Sequence, residues 1–492
     1  MWYFFMIKPA LTEISALAVE FRSVPVSRIL PANGRTPIST FKILKNLSRQ
    51  CYILESLEDK ERTGRFTFLG YDPKLEISCL NGVLTIKNGA KLSIETRDPG
   101  KYIRQIVDEN RGPSFPWLPP FSGGLVGYFS YDYIKYAEPN LNLDARDEEN
   151  FKDVDLMLFD KVIAFDRLTD QILLIVNMKT DSPVENYNKA AAELDNMARL
   201  IESGTPAAIP PLRLLSEFTP LFDKAAFCAM TERAKRYIRE GDIFQVVLSN
   251  RETARAEGSL FDTYRILRDI NPSPYMFYFS SDDFEIAGAS PETLVSLRDG
   301  QLQTFPLAGT RPRGKTEEED AALEKDLLSD PKELAEHNML VDLGRNDLGK
   351  VSRFGSVKVD KYLGVERFSH VMHIGSTVMG RIRDDKTALD AIAAVLPAGT
   401  LSGAPKMRAC QIINELENNK RGLYGGAIGY IGFNGNMDAC IAIRIAFKKN
   451  GRVFVRSGAG IVADSVPENE YAECGNKMRA VINALRSAAR NE

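Results

Sequence analysis

Two acidic pairs carry the first chemical signal in this chain of 492 residues. In PKELAEHNMLVDLGRND, Glu333 and Glu336 stand three residues apart, so a helix there presents both on one face, beside His337. In SVPENEYAECGNKMRAVINAL, Pro467 suits the first turn of a helix on which Glu470 and Glu473 repeat that spacing. Carboxylates on two such faces suit a hard cation of the Mg²⁺ type, which prefers oxygen ligands and takes one or two protein carboxylates together with substrate oxygens. Helix faces of this composition also occur simply as solvated surface.

Arg444 lies in CIAIRIAF, where strand alternation puts Ile441, Ile443, Ile445 and Phe447 on one face and Cys440, Ala442, Arg444 and Ala446 on the other. Its small neighbours leave the guanidinium room to extend toward an anion, which is either a ligand carboxylate or an internal acid. Just downstream, RVFVRSGAG is expected to end a strand at Gly458, Ala459 and Gly460, whose consecutive N–H groups can cradle a carboxylate or phosphate. AGTRPRG (308–314) and LPAGTLSGAPKMRA (396–409) read as Gly/Thr-rich turns of the same use, and none of the three matches a dinucleotide or Walker loop. All three histidines fall between 337 and 373. His373, in RFSHVMHIGSTVMG, lies on a β-type run that it shares on one face with Val371, while His370 points the other way. An imidazole there is either a proton shuttle near neutrality or a hydrogen-bonded core ring. Cation, guanidinium, anion nest and imidazole together suit a small polycarboxylate that undergoes addition and elimination.

These groups must be positioned by more than one kind of element. The segment from Ser203 to Leu215, SGTPAAIPPLRLL, interrupts a helical stretch with three prolines and a glycine and marks a boundary, giving an N-terminal domain over 10–215 and a second over 222–485. The first alternates short β-type runs with Gly, Asp and Asn turns. The second mixes amphipathic helices (FDKAAFCAMTERAKRYIREG, SLFDTYRILRDI, APKMRACQIINELE) with strands (YMFYFSS, FEIAGAS, GGAIGYIGF), and hairpin signals at FNGNMD and KKNGR join its last three strands as antiparallel neighbours. The expected class is α+β, with layered antiparallel sheets and helices packed outside them.

Bulk composition narrows the setting. With 44% hydrophobic residues, 26% charged residues and a net charge of −3, nothing recruits nucleic acid or an acidic membrane surface. No run approaches the ~20 apolar residues of a membrane span, and the opening MWYFFMI lacks the basic region of a signal peptide. The six cysteines are scattered without CxxC pairs, as suits a reducing cytoplasm.

Taken in order, FPLAGTRPRG, ELAEHNMLVDLGRNDLG, VMHIGSTVMG, LPAGTLSGAPKMRA, GLYGGAIGY, IAIR and SGAGIVADSVPENEYAECGNK resemble the chorismate-utilising enzymes, and most closely their ammonia-using, anthranilate-forming branch. The resemblance implies Mg²⁺ held by Glu336 and Glu473, with Glu333 and Glu470 in support. It implies chorismate bound by Gly309, Thr310, Tyr424, Arg444 and the backbone of Gly458, Ala459 and Gly460, and proton transfer by His373 with Glu292 as a second acid/base carboxylate. The implied reaction is attack of ammonia on ring carbon 2 with loss of the 4-hydroxyl, then elimination of pyruvate, as a step toward tryptophan. The folate-precursor branch carries a nucleophilic Lys where this chain has Ala308, and the isochorismate and salicylate branches a water-activating Lys where it has Gln245. That folate-precursor branch is the nearest alternative, and a non-catalytic tryptophan-sensing subunit a more distant one. The resemblance further implies a separate glutaminase subunit, in an assembly of two large and two small chains, and feedback by tryptophan at Ser56 of ILESLE (53–58) with Pro274, Tyr275 and Met276. Cys474 departs from the family's usual Thr.

Overall fold

The computed structural model describes residues 6–57, 64–367 and 371–490. His370, and Glu58 of ILESLE, fall outside them. Strands such as Val154–Phe159 (VDLMLF) and Lys161–Asp166 (KVIAFD) are buried at every position. Near-continuous apolar runs of this kind belong to sheets covered on both faces. The described strands form two large antiparallel sheets, of 13 and 12 strands, stacked face to face. Between them lies an aromatic layer that includes Tyr52, Phe68, Phe159, Phe277, Phe447 and Phe454. The outer face of the first sheet is closed by the Pro37–Leu47, Pro183–Ser203, Phe261–Ile270 and Pro467–Arg490 helices, through side chains such as Phe41, Leu194, Tyr264 and Leu485. The second is closed by Pro99–Asp108, Pro331–Gly349 and Ala388–Val395, through Ile103, Val341 and Ile392. This is the expected α+β layering. No described helix is long and apolar enough to cross a membrane.

Each sheet takes strands from both sides of the proline-rich connection. In the first, Cys51–Glu55 pairs with Tyr275–Ser280; in the second, Gly124–Phe129 pairs with Ala427–Gly432.

CIAIRIAF is not one strand. Met437–Ile441 belongs to the second sheet and Ile445–Lys449 to the first, so the chain changes sheets across Ala442, Ile443 and Arg444. The expected two-faced alternation breaks there because the residues on either side of the step answer to different layers. The FNGN and KNGR hairpins both form, each within its own sheet. A second step runs beside the first, where Phe284–Ser290 of the first sheet leads through Pro291 and Glu292 into Thr293–Arg298 of the second. The two steps are stitched together: Ile441 N donates to Glu292 O at 3.0 Å, Ala289 N to Arg444 O at 3.2 Å, and Ser290 Oγ to Ile441 O at 2.7 Å.

Two further expectations change. AGTRPRG is largely strand rather than turn: Leu307–Pro312 pairs with Val371–Arg381, with a register shift between Ala308 and Arg311 that lifts Gly309 and Thr310 out of the ladder. Gly458, Ala459 and Gly460 do not end a strand either, but lie within Arg452–Ile461, paired with the Gln245–Glu257 strand.

Candidate active site

The two steps between sheets bring Glu292 and Arg444 together. Arg444 adopts φ 52°, a left-handed backbone that costs a residue with a Cβ roughly 1–2 kcal/mol. The local sequence offers no glycine there, so the guanidinium is retained at the expense of backbone strain. Burial lowers the Arg444 pKa while Glu292 opposes that shift. Burial pushes the Glu292 carboxyl up to about 7, against the opposing pull of a hydrogen bond from Thr400 Oγ1 (3.2 Å) and the charges of Lys477 and Arg444. Desolvation wins, and Glu292 holds its proton close to neutrality.

His373 enters from the Val371–Arg381 strand. Its Nδ1 lies 2.8 Å from Gly309 O and 3.1 Å from Thr310 Oγ1. A carbonyl only accepts, so Nδ1 carries the hydrogen and Nε2 is the basic nitrogen. Burial lowers the His373 pKa, partly offset by Gly309 O, and Arg444 lowers it further. The bulge is what turns Gly309 O onto the ring. Gly309 has φ 65°, and a Cβ there would stand 3.1 Å from Glu333 Oε2, which puts the bulge against the acidic helix.

That helix, Pro331–Gly349, opens with Pro331 in its first turn and is capped by Asp330, which accepts from Lys332 N and Glu333 N. Pro467 likewise opens Pro467–Arg490. Burial pushes the Glu336 carboxyl up, and the Glu333 and Glu473 carboxylates push it further; Glu470 is raised by burial and by Glu473. Four carboxylates from two helices therefore share one field. Lys332 and Lys477 oppose that field, Lys477 Nζ lying 2.6 Å from Glu473, and Arg311 Nη1 stands 3.7 Å from Glu333. Among the described residues no three His, Cys, Asp or Glu side chains form a closed ligand set. An ion here would take at most two carboxylates and complete its shell with water or ligand oxygens, the habit of Mg²⁺. The residues fit such a cation.

Lys477 also donates to Gly458 O at 3.1 Å. Gly458 thus turns its polar edge away from the neighbouring strand, and by alternation Gly460 does the same while Ala459 faces its partner Leu248. An anion bound here would therefore meet two alternate N–H groups on a strand, not three consecutive ones. Tyr424 is buried beside it: a Cβ on Gly458 would meet Tyr424 Oη at 2.9 Å. A Cβ on Gly460 would meet Gln245 Nε2 at 2.6 Å, so Gln245 also borders the site. Buried Cys474 presents its carbonyl to Ser457 Oγ at 2.6 Å and its thiol, pushed up to about 12 by burial, stays neutral.

Thr400 and Lys477 are the two residues that motif reading passes over. Both lie inside quoted motifs, and the i,i+4 spacing from Glu473 to Lys477 was the available signal.

Ser56, Pro274, Tyr275 and Met276 line a separate cavity of about 740 Å³ between the sheets. Pro291 and Thr293, the neighbours of Glu292, line it as well. Tyr275 Oη lies 2.8 Å from both Thr293 Oγ1 and Asp438 Oδ1.

A layered two-sheet body that gathers carboxylates, an imidazole and a guanidinium where strands change sheets defines an enzyme for a small polyanionic substrate. The chain belongs to the chorismate binding enzyme family, whose model matches residues 49–483. It is 45% identical to an anthranilate synthase component 1 from Acetivibrio thermocellus, over 98% of this chain and 99% of that one. The crystal structure of anthranilate synthase component I from Streptococcus pneumoniae TIGR4 is similar with a TM-score of 0.76 and 40% identity, covering 85% of this chain and 92% of that one. The menaquinone-specific isochorismate synthase from Escherichia coli, 19% identical with a TM-score of 0.68 over 98% and 99% of the two chains, shares the fold.

Proposed function

We propose that the protein is the chorismate-aminating component of anthranilate synthase, a cytoplasmic Mg²⁺-dependent lyase that converts chorismate and ammonia to anthranilate and pyruvate. The observation that carries this reading is the near full-length similarity to curated relatives of that activity. The side chain at 308 supports it, since the Ala308 methyl cannot attack the ring as a lysine amine would.

In this reading Arg444, Tyr424 and the N–H groups of Gly458 and Gly460 receive the enolpyruvyl carboxylate. Glu336 and Glu473 would hold Mg²⁺, with Glu333 and Glu470 beside them; the bound ion would neutralise the ring carboxylate next to the attacked carbon. Glu292 delivers its proton to the departing 4-hydroxyl as ammonia bonds to carbon 2, water leaves, and the new ammonium group returns one proton to the Glu292 carboxylate to become a neutral amine. His373 Nε2 then takes the proton from carbon 2 while the carbon 3–oxygen bond breaks. The ring becomes aromatic, and the released enolpyruvate gains a proton to become pyruvate. Gly309 O and Thr310 hold the imidazole in the tautomer this needs.

Ammonia comes from a glutaminase partner, in an assembly of two large and two small subunits. Tryptophan occupies the 740 Å³ cavity. A ligand there touches Pro291 and Thr293 and so bears on the peptide that carries Glu292, which supplies a route for feedback inhibition.

The test is to incubate the purified protein with chorismate, Mg²⁺ and an ammonium salt. Anthranilate fluorescence is the expected result; accumulation of aminodeoxychorismate, or no turnover, contradicts the assignment.

A further inference from the structure

Far along the Gln245–Glu257 strand from the chorismate site, a second constellation has no part in the chemistry above. Arg251 is only 8% exposed, yet its Nε has no hydrogen-bond partner and its guanidinium makes no ion pair with any described residue. It rests over the Phe454 ring at 5.1 Å. Burial lowers its pKa, opposed by the fields of Glu149 and Glu148. Glu149 is already engaged: it accepts from Arg452 Nη1 at 2.9 Å and from Asn450. A buried guanidinium without a counter-ion is costly, and each such group in a native fold calls for a partner.

Arg251 lines a cavity of about 350 Å³, together with Arg255, Arg452, Ser216, Thr219 and Thr253. Strand register explains the gathering. Arg255 pairs with Arg452, and Arg251 stands two residue pairs away from Thr253–Phe454 along the same ladder, so all three arginines project from one face. The Thr219–Pro220 strand pairs edge to edge with Gln245–Glu257, Thr219 opposite Thr253, and forms the side wall. Gln245, which borders the chorismate site, is six positions away, about 20 Å of extended strand.

We infer that this cavity is a second ligand site, specific for a phosphate-class oxyanion. Guanidinium forks match the oxygens of a phosphate group, and the hydroxyl of Thr253 adds a neutral donor, that of Thr219 being donated to Thr253 O at 3.3 Å. The volume falls within the range of small-molecule sites and leaves room for a carbon skeleton beyond the phosphate.

The experiment is calorimetric titration of the full-length protein with inorganic phosphate and, in a second arm, with a phosphorylated sugar, at constant ionic strength. Saturable binding is expected in the wild type and in Arg444→Ala, which separates this cavity from the chorismate site. Tighter binding of the sugar phosphate identifies an organic ligand, and equal binding identifies free phosphate; both outcomes support an oxyanion site. Arg251→Met is expected to abolish binding. Arg255→Ala, at an exposed position that does not threaten folding, is expected to weaken it about tenfold or more. No saturable binding by the wild type, or binding unchanged in Arg255→Ala and Arg251→Met, overturns the inference. Neither result bears on the fluorescence assay for anthranilate.

Discussion

The Glu292 proton gives the active site a pH signature. With a pKa of about 7, the carboxyl is protonated below that value and ionised above it, and in the proposed reaction the protonated form is the one that would assist departure of the 4-hydroxyl. On the acid form's account, kcat/KM falls as pH rises through about 7; in Glu292→Gln that limb vanishes and turnover drops by about 10²–10⁴-fold, as read from pH profiles of initial rates. Arg444 allows a sharper substitution than alanine. Because its backbone is left-handed, Arg444→Gly relieves strain while removing the charge. The expected outcome is a melting temperature at or above the wild-type value together with a rise in KM for chorismate of about ten- to a hundredfold. A variant that loses stability and affinity together would make the guanidinium structural instead.

At the scale of elements, the strands and helix behind the site are tied by one buried acid. Glu417, on the Lys406–Glu417 helix, accepts from Arg421 Nε and Arg456 Nη2, both at 2.9 Å, and from Ser249 N at 2.8 Å. It thereby joins that helix to the strands that carry Gly458 and Gln245. Glu417→Ala leaves two buried guanidinium groups without their carboxylate and is expected to cost about 3–5 kcal/mol in urea unfolding. Burial alone would raise the Glu417 pKa, but the two arginines and the hydrogen bonds hold it below its ordinary value. The folded state therefore binds this proton less readily than the unfolded chain, so the stabilisation is full above the unfolded pKa and is lost as pH falls through the folded one. Elements of this kind differ in how far the sequence reveals them. The Pro331–Gly349 and Pro467–Arg490 helices are legible because an opening proline and a three-residue glutamate spacing act within a turn or two. CIAIRIAF is not, because its alternation obeys strand geometry while the decision to change sheets at Arg444 is made by partners at 284–298. The Gly309 bulge hides in the same way: its turn residues are visible, but the strand opposite them is not.

For the whole molecule, both sheets are built across the proline-rich connection, so the two stretches of chain complete each other's hydrogen-bond ladders. Residues 222–492 expressed alone would expose the edges at Tyr275–Ser280 and Ala427–Gly432, and are expected to give no sharp melting transition in near-ultraviolet circular dichroism, whereas the full chain melts in one. The same architecture lets helices more than a hundred residues apart in sequence bring their carboxylates into one electrostatic field. Long motifs in one order name the residues of that site, but only the stacked sheets set Glu336 and Glu473 within reach of each other's field. The most direct test is Mn²⁺ binding followed by electron paramagnetic resonance on the wild type, Glu336→Gln and Glu473→Gln. A shared ion predicts one saturable site that each substitution weakens by about tenfold or more. Binding that one of the two substitutions leaves unchanged would contradict it.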